Sequence, residues 1–236
     1  ISDVHNIHSL PRRTQVVLLG LRQVFCQAAI LQLIQFQSGA AMSPDLIACT
    51  ALILAYLLGS VSAAIIVCRL MGLPDPRTDG SGNPGTTNVL RLGGKPAALL
   101  TLTGDMLKGV IPVLVAREYG MSDVLLSAVG IAAFLGHLYP VFFRFEGGKG
   151  VATALGVMLT LHWGLGVAVV LLWVAGFALT RISSVGAITA FIAAPFLASW
   201  LMPEAMLGVV GMSILLLARH KTNIVSLLKG TERRFK

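Results

Sequence analysis

Apolar runs recur along most of this chain, and they constrain its fold more than any other feature. Since 56% of the residues are hydrophobic and only 12% are charged, a water-soluble fold could not bury all of them. A helix needs about 20 apolar residues to cross a bilayer. We therefore expect an all-α fold, a polytopic membrane helix bundle with about seven transmembrane segments, of which the fourth and seventh are short. These runs cover residues 46–68, 96–116, 124–143, 151–161, 164–179, 184–202 and 205–218.

Basic residues are divided unequally between the loops that join these segments. When the loops alternate between two faces, one face receives thirteen lysines and arginines, and the other receives Arg117 alone once the first 41 residues are set aside. Cytoplasmic loops of membrane proteins are enriched in Lys and Arg. We therefore predict that the basic face, which carries the C-terminus and every polar loop described below, is cytoplasmic. The opposite face carries acidic residues: Asp45, Glu118, Asp123 and Glu204.

The first 41 residues follow a different pattern. Arg12 and Arg13 precede an apolar stretch, and residues 38–41 resemble a small-residue cleavage site, which is typical of a targeting segment. Several glutamines interrupt that apolar stretch, and this favours an upstream extension with no role in the fold. We expect residues 1–41 to be a leader or an upstream extension outside the fold, and residues 42–236 to form a single integral-membrane domain.

A mostly polar stretch at residues 80–91 follows the first apolar segment. Its glycines let backbone N–H groups converge on an anion, and short polar side chains surround them. The Gly-x-Gly-x-x-Gly spacing also fits a dinucleotide-binding loop, but that loop functions only between a strand and a helix of a βαβ unit. We therefore predict a phosphate site here. Its candidate residues are Gly80, Ser81, Gly82, Asn83, Thr87, Asn88 and Arg91.

A second polar stretch surrounds Lys149. Gly147, Gly148 and Gly150 flank this lysine just before an apolar run that is expected to be helical. Free N–H groups and the positive end of a helix dipole would then lie beside an ammonium group. A lysine that only anchors a helix at the membrane surface needs no glycines around it, so we predict a second anion site.

Further polar side chains lie on the same face or inside the bundle. His220 and Asn223 are three residues apart, so on a continuing helix they would share a face. Ser184 either caps the next helix or contacts a ligand. Lys108 and Asp105 are also three apart, and we expect them to neutralise each other inside the bundle, although Lys108 could instead face the anion site.

The charge and the cysteines limit the possible partners. The net charge is +8, but the basic residues are scattered at segment ends and form no stripe, which favours lipid headgroups and anionic substrates over nucleic acid. The three cysteines show no Cys-x-x-Cys spacing, so no metal site or disulfide framework is predicted.

Three stretches of this chain resemble the bacterial acyl-phosphate:glycerol-3-phosphate acyltransferase family. They are residues 80–91, residues 136–153, and residues 219–224 with Gly230 and Glu232. The resemblance implies an enzyme of phospholipid synthesis in the bacterial inner membrane. It implies transfer of a fatty acyl group from acyl phosphate to the 1-hydroxyl of glycerol 3-phosphate, giving lysophosphatidic acid and phosphate.

The resemblance also implies roles for particular residues. The catalytic residues would be Ser81, Arg91, Lys149, His220 and Asn223, and the remaining candidates would bind phosphate or substrate. No cofactor or metal is implied. We expect the partners to be acyl phosphate, glycerol 3-phosphate and the phospholipid bilayer, without nucleic acid, and we expect a monomer.

Two questions stay open on the sequence. The alternative function is a membrane transporter for an anionic metabolite, since glycine-rich breaks near charges also occur in transport sites. The second question is the proton acceptor, because no histidine here has an Asp five residues later, as many other glycerolipid acyltransferases do. Acyl phosphate is already activated, so a phosphate oxygen of the substrate could accept the proton; His220 is the alternative base.

Overall fold

A computed structural model describes residues 43–235. The leader or extension predicted for residues 1–41 lies outside the described residues. The chain divides into two compact units, Ile1–Ile47 and Ala48–Lys236. Only the last few residues of the first unit are described, and all contacts discussed below lie within the second unit.

The regular structure of the described residues is helical throughout, as predicted. Two short 3-10 helices, Val141–Phe143 and Pro203–Ala205, extend the ends of longer helices. The α-helices are α1 (Pro44–Gly59), α2 (Ala63–Leu70), α3 (Thr86–Glu118), α4 (Asp123–Leu138), α5 (Val151–Leu161), α6 (Trp163–Thr180), α7 (Ser183–Leu201), α8 (Met206–Arg219) and α9 (Lys221–Leu228).

The helices confirm a polytopic membrane bundle, but they do not confirm the count of seven segments. Between residues 43 and 235, five spans are long and apolar enough to cross a membrane, and a sixth is added if α8 and α9, which meet at a bend of 57°, are counted as one broken span. The difference lies mainly in α5. Its eleven residues extend about 16 Å, roughly half of the hydrocarbon thickness.

Helix α3 is broken near its start, and the break separates its polar part from its membrane part. Gly94 has φ 72° and ψ −169°, a backbone conformation that is essentially restricted to glycine. Pro96 follows two residues later. The turns before Gly94 therefore carry the predicted phosphate-loop residues Thr87, Asn88 and Arg91, and the longer part after it runs to Glu118.

The short helix α5 lies along α3 and runs in the same direction. Near its start, Thr153 Oγ1 donates a hydrogen bond of 2.9 Å to the Asp105 carbonyl. At its end, the Leu161 carbonyl accepts a hydrogen bond of 2.9 Å from Arg117 Nη2. The backbones approach closely because Gly109 and Gly156 face them without room for a Cβ, as expected where small residues drive helix packing in lipid.

The predicted pair of Asp105 and Lys108 is confirmed. Lys108 Nζ lies 2.9 Å from Asp105 Oδ1, and both side chains are buried. Lys108 also donates a hydrogen bond of 2.9 Å to the Val61 carbonyl. The lysine therefore joins α3 to the α1–α2 connection inside the bundle, and a role toward phosphate stays a prediction.

Candidate active site

One end of the bundle brings together the predicted polar stretches. Residues from the start of α3, the loop before α5, the start of α7 and the two sides of the bend between α8 and α9 contact one another there. Residues 229–235, which follow α9 and which we call the strap, extend across the same end. The convergence expected from alternating loops is therefore present in the structure.

A chain of hydrogen bonds joins three of the predicted site residues through one that was not among them. Lys149 Nζ donates to Asn223 Oδ1, and Asn223 Nδ2 donates to Glu232 Oε1. Ser184 Oγ donates to the same carboxylate oxygen at 2.7 Å. Glu232 belongs to the strap, which has no regular periodicity, so its position at the centre of this chain could be suspected only from the family resemblance.

Positive charge exceeds negative charge around Lys149. Burial lowers the pKa of Lys149, and the nearby charges of Arg219 and Arg91 lower it further, whereas Glu232 raises it. Three cations thus act together with a single carboxylate, which leaves an excess of two positive charges. A group of this kind favours an anion such as phosphate, because the anion offsets the repulsion between the cations.

The predicted phosphate loop is held in shape by Asn88. Its side chain is almost fully buried. Oδ1 accepts a hydrogen bond of 2.9 Å from the Ser81 backbone N–H, and Nδ2 donates to the carbonyls of Pro76 and Asp79, each at 2.9 Å. Asn88 therefore folds the loop, while the side chain of Ser81 is left exposed at its surface.

Two of the three glycines of this loop adopt a backbone conformation that favours glycine. Gly80 and Gly82 have φ of 67° and 69°, in the left-handed region where a Cβ is unfavourable. Asn83 is half-buried beside them. Thr87 Oγ1 lies 3.0 Å from Ser183 Oγ, so the start of α3 contacts the start of α7.

Arg77 connects the two glycine-rich loops, and sequence reasoning did not identify it. Its Nη2 lies 2.7 Å from Asp75 Oδ2, and its Nη1 lies 3.1 Å from Glu146 Oε2. Hydrogen bonding to Arg77 holds the pKa of Asp75 below its ordinary value. Because Arg77 and Glu146 are distant in sequence, no local spacing could have indicated the contact.

The glycines around Lys149 were expected to bind an anion, but in the structure they also allow close packing against α4. Gly147 and Gly148 lie against His137, Gly150 lies against Phe134, and none has room for a Cβ. The Gly148 N–H donates to the His137 carbonyl at 3.3 Å. Arg219 donates to the carbonyls of Gly147 at 2.7 Å and Gly148 at 3.2 Å. Part of this backbone is thus already bonded, and direct anion binding by these glycines stays a prediction.

His220 lies at the bend between α8 and α9, so the helix does not continue straight as the sequence suggested. The ring is buried, and its Nδ1 lies 2.8 Å from the Leu216 carbonyl. A carbonyl only accepts, so Nδ1 carries a proton. In the neutral ring Nε2 is then unprotonated and able to accept a hydrogen bond or a proton.

Of the two roles left open for Ser184, helix capping is absent from the structure. Helix α7 begins after Ile182 without a side-chain cap, and the Ser184 hydroxyl bonds Glu232 instead. Among the described residues, no group of three or more His, Cys, Asp or Glu side chains could hold a metal ion.

The strap contacts the site through two further residues. Arg233 Nη1 donates a hydrogen bond of 3.3 Å to the Gly80 carbonyl. The ring of Phe235 lies under the guanidinium of Arg91, whose Cζ is 4.9 Å from the ring centroid. The strap thus joins the phosphate loop and α3 to the residues around Glu232.

Comparison with known proteins gives consistent results. The family model described as glycerol-3-phosphate acyltransferase matches residues 49–230. A glycerol-3-phosphate acyltransferase of Methylococcus capsulatus is 57% identical over 182 residues, which cover 76% of this chain and 92% of that protein.

Two solved structures are similar as well. Both are crystal structures of PlsY, an integral membrane glycerol 3-phosphate acyltransferase, one in its glycerol 3-phosphate form and one in its lysophosphatidic acid form. Each is 40% identical to this chain and covers 80% of it. The TM-scores are 0.76 and 0.75, and 96% and 95% of the respective solved chains are covered.

Proposed function

The chain belongs to the glycerol-3-phosphate acyltransferase family, and we propose that it transfers a fatty acyl group from acyl phosphate to the 1-hydroxyl of glycerol 3-phosphate. The protein is an acyltransferase, and its acceptor is glycerol 3-phosphate. Acyl phosphate as the donor is the part of this proposal that the family's name leaves open. The products are lysophosphatidic acid and inorganic phosphate, which makes this the first acylation of phospholipid synthesis.

The observation that carries the proposal is the excess of positive charge around Lys149, where Arg91 and Arg219 add to its charge and, among the described residues, Glu232 is the carboxylate that opposes it. Glycerol 3-phosphate and acyl phosphate each bring a phosphate group. The phosphate loop at residues 80–91 lies beside this cluster, since the strap bonds both Gly80 and Asn223. One charge cluster with adjoining polar walls suits a pair of phosphate-bearing substrates.

The chemical step needs a nucleophile, a place for developing charge and a leaving group. The oxygen of the glycerol 1-hydroxyl attacks the carbonyl carbon of the donor and forms the new ester C–O bond. The tetrahedral oxyanion then collapses, and the C–O bond to phosphate breaks with its electron pair leaving on phosphate. Lys149 and Arg91 stabilise the oxyanion and the departing phosphate electrostatically, which is usually the largest catalytic contribution.

The hydroxyl proton passes to a phosphate oxygen of the substrates in this proposal, so no strong enzymic base is needed. Asn223 and Glu232 hold the Lys149 ammonium, and Ser81, exposed on the phosphate loop, supplies a hydroxyl to substrate. Ser184 supports Glu232. Thr87, Asn83 and the loop glycines complete the phosphate-binding walls.

His220 tests the route of the proton. We expect His220→Ala to raise KM for a substrate and to leave the shape of the pH profile unchanged, because the ring binds and does not abstract the proton. A base must be unprotonated to act, so it produces a rate that falls toward acid pH. Loss of such an acid-side decline in His220→Ala, measured as kcat against pH, would identify His220 as the base instead.

The donor assay decides the function. Purified protein in detergent is mixed with palmitoyl phosphate and radiolabelled glycerol 3-phosphate, and we expect equal amounts of lysophosphatidic acid and inorganic phosphate. Parallel reactions contain palmitoyl-CoA as the donor, from which we expect no acylation. Lys149→Met should abolish the reaction. Lys221→Met, which removes an exposed lysine on α9, should leave it intact. Acylation from palmitoyl-CoA but not from palmitoyl phosphate would refute acyl phosphate as the donor.

A transporter for an anionic metabolite remains the alternative from another class. The polar cluster of this chain lies at one end of the bundle, whereas transport sites lie near the bilayer midplane. Uptake of labelled glycerol 3-phosphate into proteoliposomes without any acyl donor would support transport, and we expect none.

A further inference from the structure

Phe235 in the strap is fixed on one side and offers its ring to a cation on the other. Its backbone N–H donates a hydrogen bond of 2.8 Å to the Arg181 carbonyl. Its ring meets Phe177 edge to face, with centroids 5.6 Å apart at 76°. The face of the ring lies under the Arg91 guanidinium at 4.9 Å. Phe235 therefore connects α6 to a charged side chain on α3.

Few contacts other than the Phe235 ring fix the orientation of the Arg91 guanidinium. Its side chain is long and exposed, and the guanidinium makes no hydrogen bond to any residue between 43 and 235. An arginine without a partner samples many rotamers, and each must be given up when substrate binds. The contact with Phe235 therefore restricts the guanidinium before substrate arrives, in addition to the longer-range attraction of Glu232.

The geometry of a cation over an aromatic ring leaves the arginine able to bind phosphate. Guanidinium groups characteristically stack on aromatic rings, with the flat face of the guanidinium turned to the ring. The five N–H donors point outward in the plane of the group, so they remain free for phosphate oxygens. A ring that orients the guanidinium therefore does not compete with the substrate for its hydrogen bonds.

We propose that Phe235 is a positioning residue for acyl transfer, which holds Arg91 in the orientation that receives a substrate phosphate. The proposal rests on the proposed function, because the role of Arg91 does. Phe235 acts through Arg91 and needs no contact with substrate. Two neighbouring residues of the strap keep the ring in register, since Glu232 accepts from Ser184 and Arg233 donates to the Gly80 carbonyl.

Substitutions at position 235 separate the aromatic ring from apolar volume. We expect Phe235→Leu and Phe235→Met to lower kcat/KM about three- to tenfold, mainly through KM, because both lose the ring's attraction for the cation. Phe235→Tyr keeps the ring and should retain nearly full activity. Phe196→Leu serves as the matched control, since Phe196 is an exposed aromatic residue well along α7.

A second background shows whether the effect passes through Arg91. In Arg91→Gln, which removes the cation, Phe235→Leu should change kcat/KM by less than twofold, because coupled residues are not additive. Full activity of Phe235→Leu and Phe235→Met, or an undiminished effect in Arg91→Gln, would overturn the proposal.

Two measurements keep this outcome separate from other failures. Thermal unfolding in detergent identifies any variant that is simply destabilised. If Phe235→Leu and Phe235→Met unfold early, kcat/KM of Phe235→Tyr is compared with that of Phe196→Leu, and both should be close to the wild-type value. Wild-type protein is assayed in every series with palmitoyl phosphate and glycerol 3-phosphate. An inactive wild type would refute the proposed function, whereas an active wild type with no loss in the Phe235 variants would refute the positioning role alone.

Discussion

Lys149 combines features that rarely occur together on one side chain. It is held by Asn223, it is half-buried, and two arginines act on its charge. Each of these conditions matters for catalysis, because an ammonium group that is fixed and partly removed from water stabilises a developing negative charge more strongly than a solvated one. The same conditions make its proton easier to lose.

The pH profile should therefore reveal Lys149. Since burial and neighbouring cations lower the pKa of Lys149, the charged form that the reaction needs is lost as pH rises through that lowered pKa. We expect kcat/KM to decline toward alkaline pH earlier than an ordinary lysine would allow. Lys149→Arg keeps its charge at all accessible pH values, so its decline should move to higher pH even though its overall rate is lower.

The measurement is kcat/KM between neutral and alkaline pH, corrected for spontaneous hydrolysis of acyl phosphate. Lys221→Arg is the matched control, and its profile should equal that of the wild type. An alkaline decline that is the same in Lys149→Arg and the wild type would assign it to another group.

Individual residues differed in how far the sequence could specify them. The amino-acid pattern indicated Lys149, Asn223 and Ser184, because glycines and hydroxyls at segment ends signal special chemistry. It could not place Glu232, which bonds Ser184 on α7 and Asn223 on α9, or Arg77, which reaches Glu146 in the other glycine-rich loop. It also could not show that Asn88 folds its own loop, since an amide side chain suits a ligand and a turn equally well.

At the scale of elements, the short helix α5 is the structural support of the site. It begins directly after Gly150, and its start is fixed to α3 by the hydroxyl of Thr153. The contact lies only four residues after Lys149, so a shift of α5 along α3 would displace the lysine. We infer that this one hydrogen bond affects both stability and the position of Lys149.

Thr153→Val tests that inference, because it removes the hydroxyl and keeps the shape. The buried Asp105 carbonyl then loses one of its partners, and we expect a cost of about 1 kcal/mol in stability with a several-fold loss in kcat/KM. Thr160→Val is the matched control, because the Thr160 hydroxyl bonds Gly156 within its own helix. Thermal unfolding in detergent and the phosphate-release assay measure both effects. Equal activity of the two variants would contradict the link to Lys149.

The number of segments shows where sequence reasoning reaches its limit. Apolar runs located each of the long helices, and the run at residues 151–161 was predicted to be short. Apolar composition does not show where α5 begins relative to the other helices, because that depends on how α5 packs against α3. The bend at His220 was also not predictable, since the local sequence continues with residues that suit a helix.

At the scale of the whole molecule, all polar contacts of the site lie at the end of the bundle that carries the excess of basic residues. We propose that this end faces the cytoplasm of a bacterial cell and that the protein resides in the inner membrane as a monomer. The positive-inside rule supports this orientation, and glycerol 3-phosphate, a charged metabolite, would reach the site from the cytoplasm.

Cysteine labelling tests the orientation. The native cysteines Cys26, Cys49 and Cys68 are first replaced by serine, and single cysteines are then introduced as Ser122→Cys or Thr231→Cys, both at exposed positions at opposite ends of the bundle. In intact spheroplasts an impermeant maleimide should label Ser122→Cys, and it should label Thr231→Cys only after permeabilisation. Labelling of Thr231→Cys in intact spheroplasts would reverse the proposed topology.

The shortness of α5 has a consequence for how material leaves the enzyme. Its start lies beside Asp105, eleven residues after Gly94, which corresponds to about 16 Å of helix. Lys149, four residues before Thr153, therefore lies next to a helix that begins part of the way along α3. We propose that the one-tailed lipid product departs by sliding sideways between helices into the leaflet, without first being lifted into water.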